Sequence, residues 1–425
     1  MKRVPRSFED LVLVKRIVAI SIIFLCTAFA WFLLGTTINI RTESQNMAMK
    51  ERVGQLWGQA HRQNAPYFFY KEPKQVTVEE MVGDKQVERV RTVFENIDLP
   101  IDQTDIDVDL GLDYRRKGLL WYSTYKVDFA GLYKVTNPTQ EKQEIFCTFT
   151  LPTSEAIYDD FQFSFGGKKL KNIRPQGGAI TESLSIEPGE TRTVKVAYRS
   201  QGQDKWQYFF GNGVSQVKDF NLDLKTNFIG IDFPEGSISP TEKHKLASGW
   251  SLNWHYNNLL TGYSVGMDLP KKLNPGPWVS KITFFAPVSL FLFFFIVFMI
   301  ATVRGIKIHP MNYFFMGAGF FSFHLLLAYL VDHVAIELAF AICSVVSVFL
   351  VTSYMRLVVP GWFAYFEVAV AQLVYLVLFS YTFFFEHYTG LIVTTLCVLT
   401  LFVMMQFTGR IDWDEVFARK PKAES

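Results

Sequence analysis

Apolar and polar residues are unevenly divided along this chain. One charge-free apolar stretch runs from Ile17 to about Ile38, and five more crowd into the last third: Ile282–Val303, Tyr313–Val331, Ala335–Met355, Trp362–Phe385 and Gly390–Phe407. A helix needs ~20 apolar residues to cross the hydrocarbon core, and each stretch approaches that length. Lipid offers a backbone no hydrogen-bond partner, so such stretches must fold as helices. The pattern predicts a membrane protein with six transmembrane α-helices. Its one large polar segment is inserted between helices 1 and 2.

The basic residues predict an orientation. Lys2, Arg3, Arg6, Lys15 and Arg16 precede the first span, Arg304 and Lys307 follow the second, and Arg356 follows the fourth. Arg410, Arg419, Lys420 and Lys422 follow the sixth, whereas the loops around Asp332 and Glu386 carry no Lys or Arg. Positive loops stay in the cytoplasm. Both termini are therefore expected there, with residues of about 40–280 on the periplasmic side. Ala28-Phe29-Ala30 resembles a signal-peptidase site, but Trp31-Phe32-Leu33-Leu34 continues the apolar run beyond it. The full-length stretch favours an uncleaved anchor.

Within the insertion the period changes. Met49, Val53, Leu56, Trp57 and Ala60 fall on one helical face, and Pro66 is the expected stop, which predicts a juxtamembrane helix over 41–66. Beyond it the alternation has a period of two. Ile106, Val108 and Leu110 alternate with Asp105, Asp107 and Asp109; Val194, Val196 and Tyr198 behave alike, as do Phe220, Leu222 and Leu224. That marks strands with one buried face. Turn signals at Gly83-Asp84, Gly166-Gly167, Gly177-Gly178, Pro188-Gly189 and Asn212-Gly213 separate them. The expected fold over 67–280 is a large all-β, antiparallel, sandwich-like domain, in two lobes divided near 201–217. Residues 1–40 then form the N-terminus and first span, 281–409 a five-helix membrane domain, and 410–425 a cytoplasmic tail.

Candidate chemistry is sparse. A net charge of +2 gives no basic field for nucleic acid. Of four cysteines, Cys26, Cys343 and Cys397 fall in spans, and Cys147 reads as a core residue of its strand. No glycine-rich phosphate loop, clustered Cys/His set or Gly-x-Ser-x-Gly elbow is present. The Asp102–Asp109 run alternates with Ile and Val and lacks the glycine of a calcium loop, so it reads as a solvated strand face. No catalytic residue, cofactor or metal is expected. The expected partners are the lipid bilayer and an envelope protein or a second copy of the chain.

Ionisable and amide groups at membrane depth are costly and usually have a partner or a task. His324, Glu367 and Gln372 are the intramembrane candidates. A Glu hydrogen-bonded to a His would make a proton relay; the plainer reading is an interhelical bond that fixes packing. A second group, Asp332, His333, Glu337, Glu386 and His387, collects at the outer boundary. It has metal-ligand residue types, yet short interfacial loops carry such residues for solubility alone.

Several stretches resemble the CreD family of bacterial inner-membrane proteins. They are Lys85-Gln86-Val87-Glu88-Arg89 before Leu99-Pro100; Arg115-Arg116-Lys117-Gly118-Leu119 before Gly131-Leu132-Tyr133; and Ser248-Gly249-Trp250 with Trp254 and Asn257-Asn258. Ile308-His309-Pro310-Met311, Asp332-His333 and Gly409-Arg410-Ile411-Asp412-Trp413 extend the similarity through the membrane part. The resemblance implies an inner-membrane protein tied to envelope integrity and stress response, its gene under a sensor-kinase and regulator pair. It implies no catalytic residues. The expected function is non-enzymatic, with the β domain binding or sensing a partner. The alternative is a transporter or proton-coupled device using His324 and Glu367.

Overall fold

The computed structural model describes residues 6–82, 85–118, 120–170, 173–211, 213–359, 361–385, 387–409 and 411, with side chains outside 6–13 and 78–89. The turn Gly83-Asp84, Glu386, Arg410 and residues 412–425 lie outside the described residues. The chain forms two compact units, one of Met1–Asn46 with Leu273–Ser425 and one of Met47–Lys272.

The first unit is helical. Helix α1 (Arg6–Trp57), whose residues from Met47 onward belong to the second unit, is followed, after the β unit, by α2 (Pro275–Val303), α3 (Pro310–Leu330), α4 (Ile336–Val358), a fifth span over Phe363–Phe384 and a sixth over Thr389–Thr408. All six are long and apolar enough to cross a membrane, and each contains or closely matches a predicted stretch. Phe293, Phe320, Phe323 and Leu376 are wholly buried in the core of this unit. The apolar span of α1 and the sixth span are only 6% and 11% buried. Phe29, Phe32, Leu391 and Phe402 instead face outward, as lipid-facing side chains do.

The fifth span is irregular. Two π-helical segments, Phe363–Val368 and Leu373–Leu378, flank a single α turn, Ala369–Gln372. A π turn inserts one extra residue and shifts the carbonyl ladder. Ser289 of α2 donates its hydroxyl to the Tyr375 carbonyl inside the second π segment.

The helix expected over 41–66 is a continuation of α1, which runs on from the first span and stops at Trp57, short of the expected end at Pro66. Gly58 ends it, at φ +90°, with its N–H bonded to the Gly54 carbonyl at 2.8 Å. That left-handed conformation suits glycine and terminates helices. Residues His61–Asn64 are already a strand.

The β unit contains β1 (His61–Asn64), β2 (Tyr67–Val82), β3 (Lys85–Leu99), β4 (Gln103–Lys117), β5 (Leu120–Thr136), β6 (Gln143–Thr150), β7 (Asp159–Phe165) and β8 (Lys168–Lys169). It continues with β9 (Ala179–Ile186), β10 (Thr191–Gln203), β11 (Lys205–Phe209), β12 (Ser215–Thr226), β13 (Glu242–Leu246), β14 (Gly249–Thr261) and β15 (Ser264–Asp268). They form an eight-stranded sheet β13-β14-β12-β4-β5-β10-β7-β8, a four-stranded sheet β3-β2-β6-β9 and a three-stranded sheet β1-β11-β15.

The alternating triplets behave as their period requires. Ile106, Val108 and Leu110 are buried, as are Val194, Val196 and Tyr198, and Phe220, Leu222 and Leu224. They share one core with Ile145, Cys147 and Phe149 of the four-stranded sheet. Each such buried apolar side chain is worth ~1.5–3 kcal/mol. Burial also pushes the Cys147 thiol pKa up, so it packs as an inert apolar group.

The sheets are not wholly antiparallel as expected. β12 pairs parallel with β4, and β1 pairs parallel with β11. Period-two alternation fixes which face is buried but is silent on a neighbour's direction. Parallel neighbours need a long connection, and the strands between β4 and β12 supply one. Within 201–217, Asp204 (φ +66°) marks the point where the chain leaves the eight-stranded sheet for the three-stranded one. Lys50 holds its carboxylate at 2.6 Å.

Candidate functional site

Polar groups in the helical unit fall into separate local sets. Glu367 lies in the first π segment, 9% exposed, and pairs with the Arg304 guanidinium at the C-terminal end of α2. The contact is an ion pair off hydrogen-bond geometry, since neither carboxylate oxygen has a hydrogen-bond partner. Arg304 caps α2, where a cation also suits the helix dipole. The Arg304 side chain remains half exposed.

Gln372 is fully buried and donates to Ser347 Oγ at 2.9 Å; Ser347 in turn donates to the Gly319 carbonyl at 2.7 Å. This short chain ties α3, α4 and the fifth span. Gln372 Oε1 has no hydrogen-bond partner. His324 sits elsewhere, in an aromatic cage. Its ring lies 5.5 Å from Trp31, 5.0 Å from Phe323 and 6.2 Å from Phe320, with Nδ1 3.4 Å from the Phe320 carbonyl. The structure therefore brings Gln372 to Ser347 and Glu367 to Arg304, and gives His324 neither of these partners. Ser347 carried no signal in the sequence, and Arg304 entered only as a basic residue that orients the second span. Arg304 was legible as a cation at a span end, but nothing in one sequence says which acid it meets.

At the other end of the helices, Asp332 accepts an ion pair from Arg41 at 2.7 Å. His333, Glu337 and His387 are exposed. Among the described residues no three His, Cys, Asp or Glu side chains are grouped to hold a metal.

The β unit carries a cleft of about 540 Å3. The turns before β2 and between β3 and β4, with the approach to β12, form its walls. Tyr67, Asp98, Thr104, Phe210 and Lys218 are among its lining residues. Phe210 packs edge-on against Phe220 at 4.8 Å. Tyr67 donates its hydroxyl to the Asp98 carboxylate, which, with some burial, raises its pKa to about 12. The cleft thus offers aromatic faces beside an anion and a cation, in the size range of small-molecule sites. The aromatic runs Tyr67-Phe68-Phe69-Tyr70 and Tyr208-Phe209-Phe210 were its sequence signal; their convergence was not.

The fold and these sites define a multi-pass helical membrane protein with a large β-sheet-rich unit. The family described as "Inner membrane protein CreD" matches residues 12–414, and the chain belongs to that family. A curated relative, Inner membrane protein CreD of Escherichia coli (strain K12), is 26% identical over 143 residues, covering 30% of this chain. The matched region spans 32% of that relative's length. Among solved structures, a candidate nutrient-binding protein of Legionella pneumophila aligns with a TM-score of 0.28 and 10% identity, covering 45% of this chain and 74% of that one. An M1 zinc metallopeptidase of Deinococcus radiodurans aligns with a TM-score of 0.25 and 11% identity, covering 40% and 42%.

Proposed function

We propose that this CreD-family protein is a non-enzymatic component of the bacterial envelope. Its β unit lies on the periplasmic side of the inner membrane and binds a partner through the cleft. Through that binding it contributes to envelope integrity or to the response to envelope stress. The cleft is the observation that carries this reading: a concave site with aromatic walls, Asp98 and Lys218 suits recognition.

Sidedness supports the periplasmic assignment. Arg16 donates to the Ile308 carbonyl at 2.6 Å, which puts the start of α1 beside the loop that carries Arg304 and Lys307. Basic residues gathered at one end of the bundle suit the cytoplasmic face. The end of α1 that leads into the β unit then faces the periplasm.

The test is complementation of a deletion strain under envelope stress, with membrane levels measured in parallel. Tyr67→Ala with Lys218→Glu should lose protection at normal protein levels. Full protection by that double variant would remove the cleft from the function. A deletion strain as resistant as its parent would remove the envelope role itself.

The transporter reading keeps one support, the two π segments around Gln372, because π turns recur at functional sites. A relay between His324 and Glu367 gains none, since each has its own separate surroundings.

A further inference from the structure

The hairpin of β2 and β3 is longer than the sheet it belongs to. β2 meets β6 only through Tyr67–Tyr70, while its pairing with β3 continues to Val82 opposite Lys85. The remaining ribbon is twelve residue pairs long, about 40 Å at strand rise. Residues 71–77 and 90–96 are exposed on both faces. Val90, Val93 and Phe94 are 63%, 50% and 63% exposed. A two-stranded ribbon is marginally stable alone in water. β3 is also a sheet edge, and its outer side has no partner among the described strands.

The two strands treat their edges differently. β2 contains Pro73, which cannot donate a ladder bond. β3 runs from Lys85 to Leu99 without a proline or glycine and is rich in Val, Thr and Phe around its middle. An open edge of this kind is suited to strand addition.

We propose that β3 pairs antiparallel with β3 of a second copy of this chain, with Thr92 opposite its counterpart at the two-fold axis. The sequence of the strand is self-complementary in that register. Val90 falls opposite Phe94, Val87 opposite Ile97, and Arg89 opposite Glu95, each twice by symmetry. No two like charges face each other. Opposite-charge and apolar cross-strand pairs stabilise a sheet, and like charges oppose it. Moving the axis by one residue, to Arg91, sets Glu88 against Phe94; moving it to Val90 sets Arg89 against Arg91. A two-fold interface of one patch with itself is also the commonest way identical chains associate.

Cysteine cross-linking of the full-length protein, in native membranes and in detergent, tests both partner and register. Directly opposed residues bring their Cα atoms within disulfide range, whereas Phe94 and its counterpart would be about 13 Å apart along the strands. Under mild oxidation Thr92→Cys should link most of the protein at twice the chain mass. Phe94→Cys alone should link at least tenfold more slowly, and co-expressed Val90→Cys and Phe94→Cys chains should link to each other. The wild-type chain, with its cysteines elsewhere, sets the background. Thr92→Pro should lower the dimer fraction at least tenfold by native mass measurement, with the protein still inserted and folded. Self-pairing is overturned if Thr92→Cys remains monomeric or links to a polypeptide of another mass. The register is overturned if Phe94→Cys links as fast as Thr92→Cys.

Discussion

Gln372 donates its side-chain amide to Ser347 Oγ at 2.9 Å, joining the fifth span to α4 where both residues are fully buried. Ser347 passes the chain on to the Gly319 carbonyl. In a bilayer the helices gain little from hydrophobic association, so such bonds and close packing hold them. Ser347→Ala should orphan the buried Gln372 amide and lower thermal stability in detergent by about 1 kcal/mol. Gln372→Leu should cost less, because Leu leaves no buried amide without a partner. An equal loss from both would show that the bond, as opposed to the orphaned group, sets the effect.

Gly319 is also a packing contact. A Cβ there would come 2.6 Å from Val351 Cγ2 of α4. Gly319→Val should separate α3 from α4 and lower membrane yield more than Ser347→Ala does. Overpacking of this kind costs ~1–3 kcal/mol. Parallel thermal-aggregation curves would check the order.

The Arg304–Glu367 pair predicts an asymmetric response. Arg304→Ala leaves a carboxylate nearly enclosed by protein, so it should destabilise the unit by about 1–3 kcal/mol, below the full buried-pair cost because Arg304 is half exposed. Glu367→Gln should be milder, since Arg304 can still reach water. The double variant should recover part of the Arg304→Ala loss. A thermal double-mutant cycle measures this, and simple additivity would dismiss the coupling.

His61 makes the β unit sensitive to acid. It is fully buried, its ring stacked near Tyr158 and edge-on to Tyr125, with Nε2 3.3 Å from Ser200 Oγ. Burial lowers its pKa from 6.5 to about 4, against a smaller opposing effect of the Gln201 backbone. A lowered histidine pKa means the unfolded chain binds the proton first. Its contribution is therefore intact above pH 6.5 and is lost progressively as pH falls to about 4, by up to about 3 kcal/mol. Denaturant melts at pH 7.5 and 5 should show this slope, and His61→Gln should flatten it. An unchanged slope would assign the acid sensitivity to other groups.

Gly58 is predicted to resist substitution. At φ +90° a Cβ would stand 2.1 Å from the Gln201 carbonyl oxygen. Gly58→Ala combines left-handed strain with a backbone clash and should cost at least 2 kcal/mol. Hydrogen exchange should then rise in β1 and the last turn of α1. A variant as stable as wild type would mean the helix can end elsewhere.

The sequence alone determined six helices long and apolar enough to cross a membrane, because in lipid an apolar run of that length satisfies its backbone as a helix. It also determined which face of each regular strand is buried: Asp105, Asp107 and Asp109 had to look outward once Ile106, Val108 and Leu110 looked in. The end of α1 was misplaced because Pro66 is a visible stop, whereas Gly58 acts through a conformation that composition does not reveal. Tertiary structure alone decided the partners. Alternation cannot say that β12 runs parallel to β4 after a long excursion. Nor can the positions of His324, Glu367 and Gln372 say that one meets an aromatic cage, one a guanidinium and one a serine. Those choices depend on how helices distant in sequence rotate and pack, and in the fifth span on two π segments that change the angular spacing of its side chains.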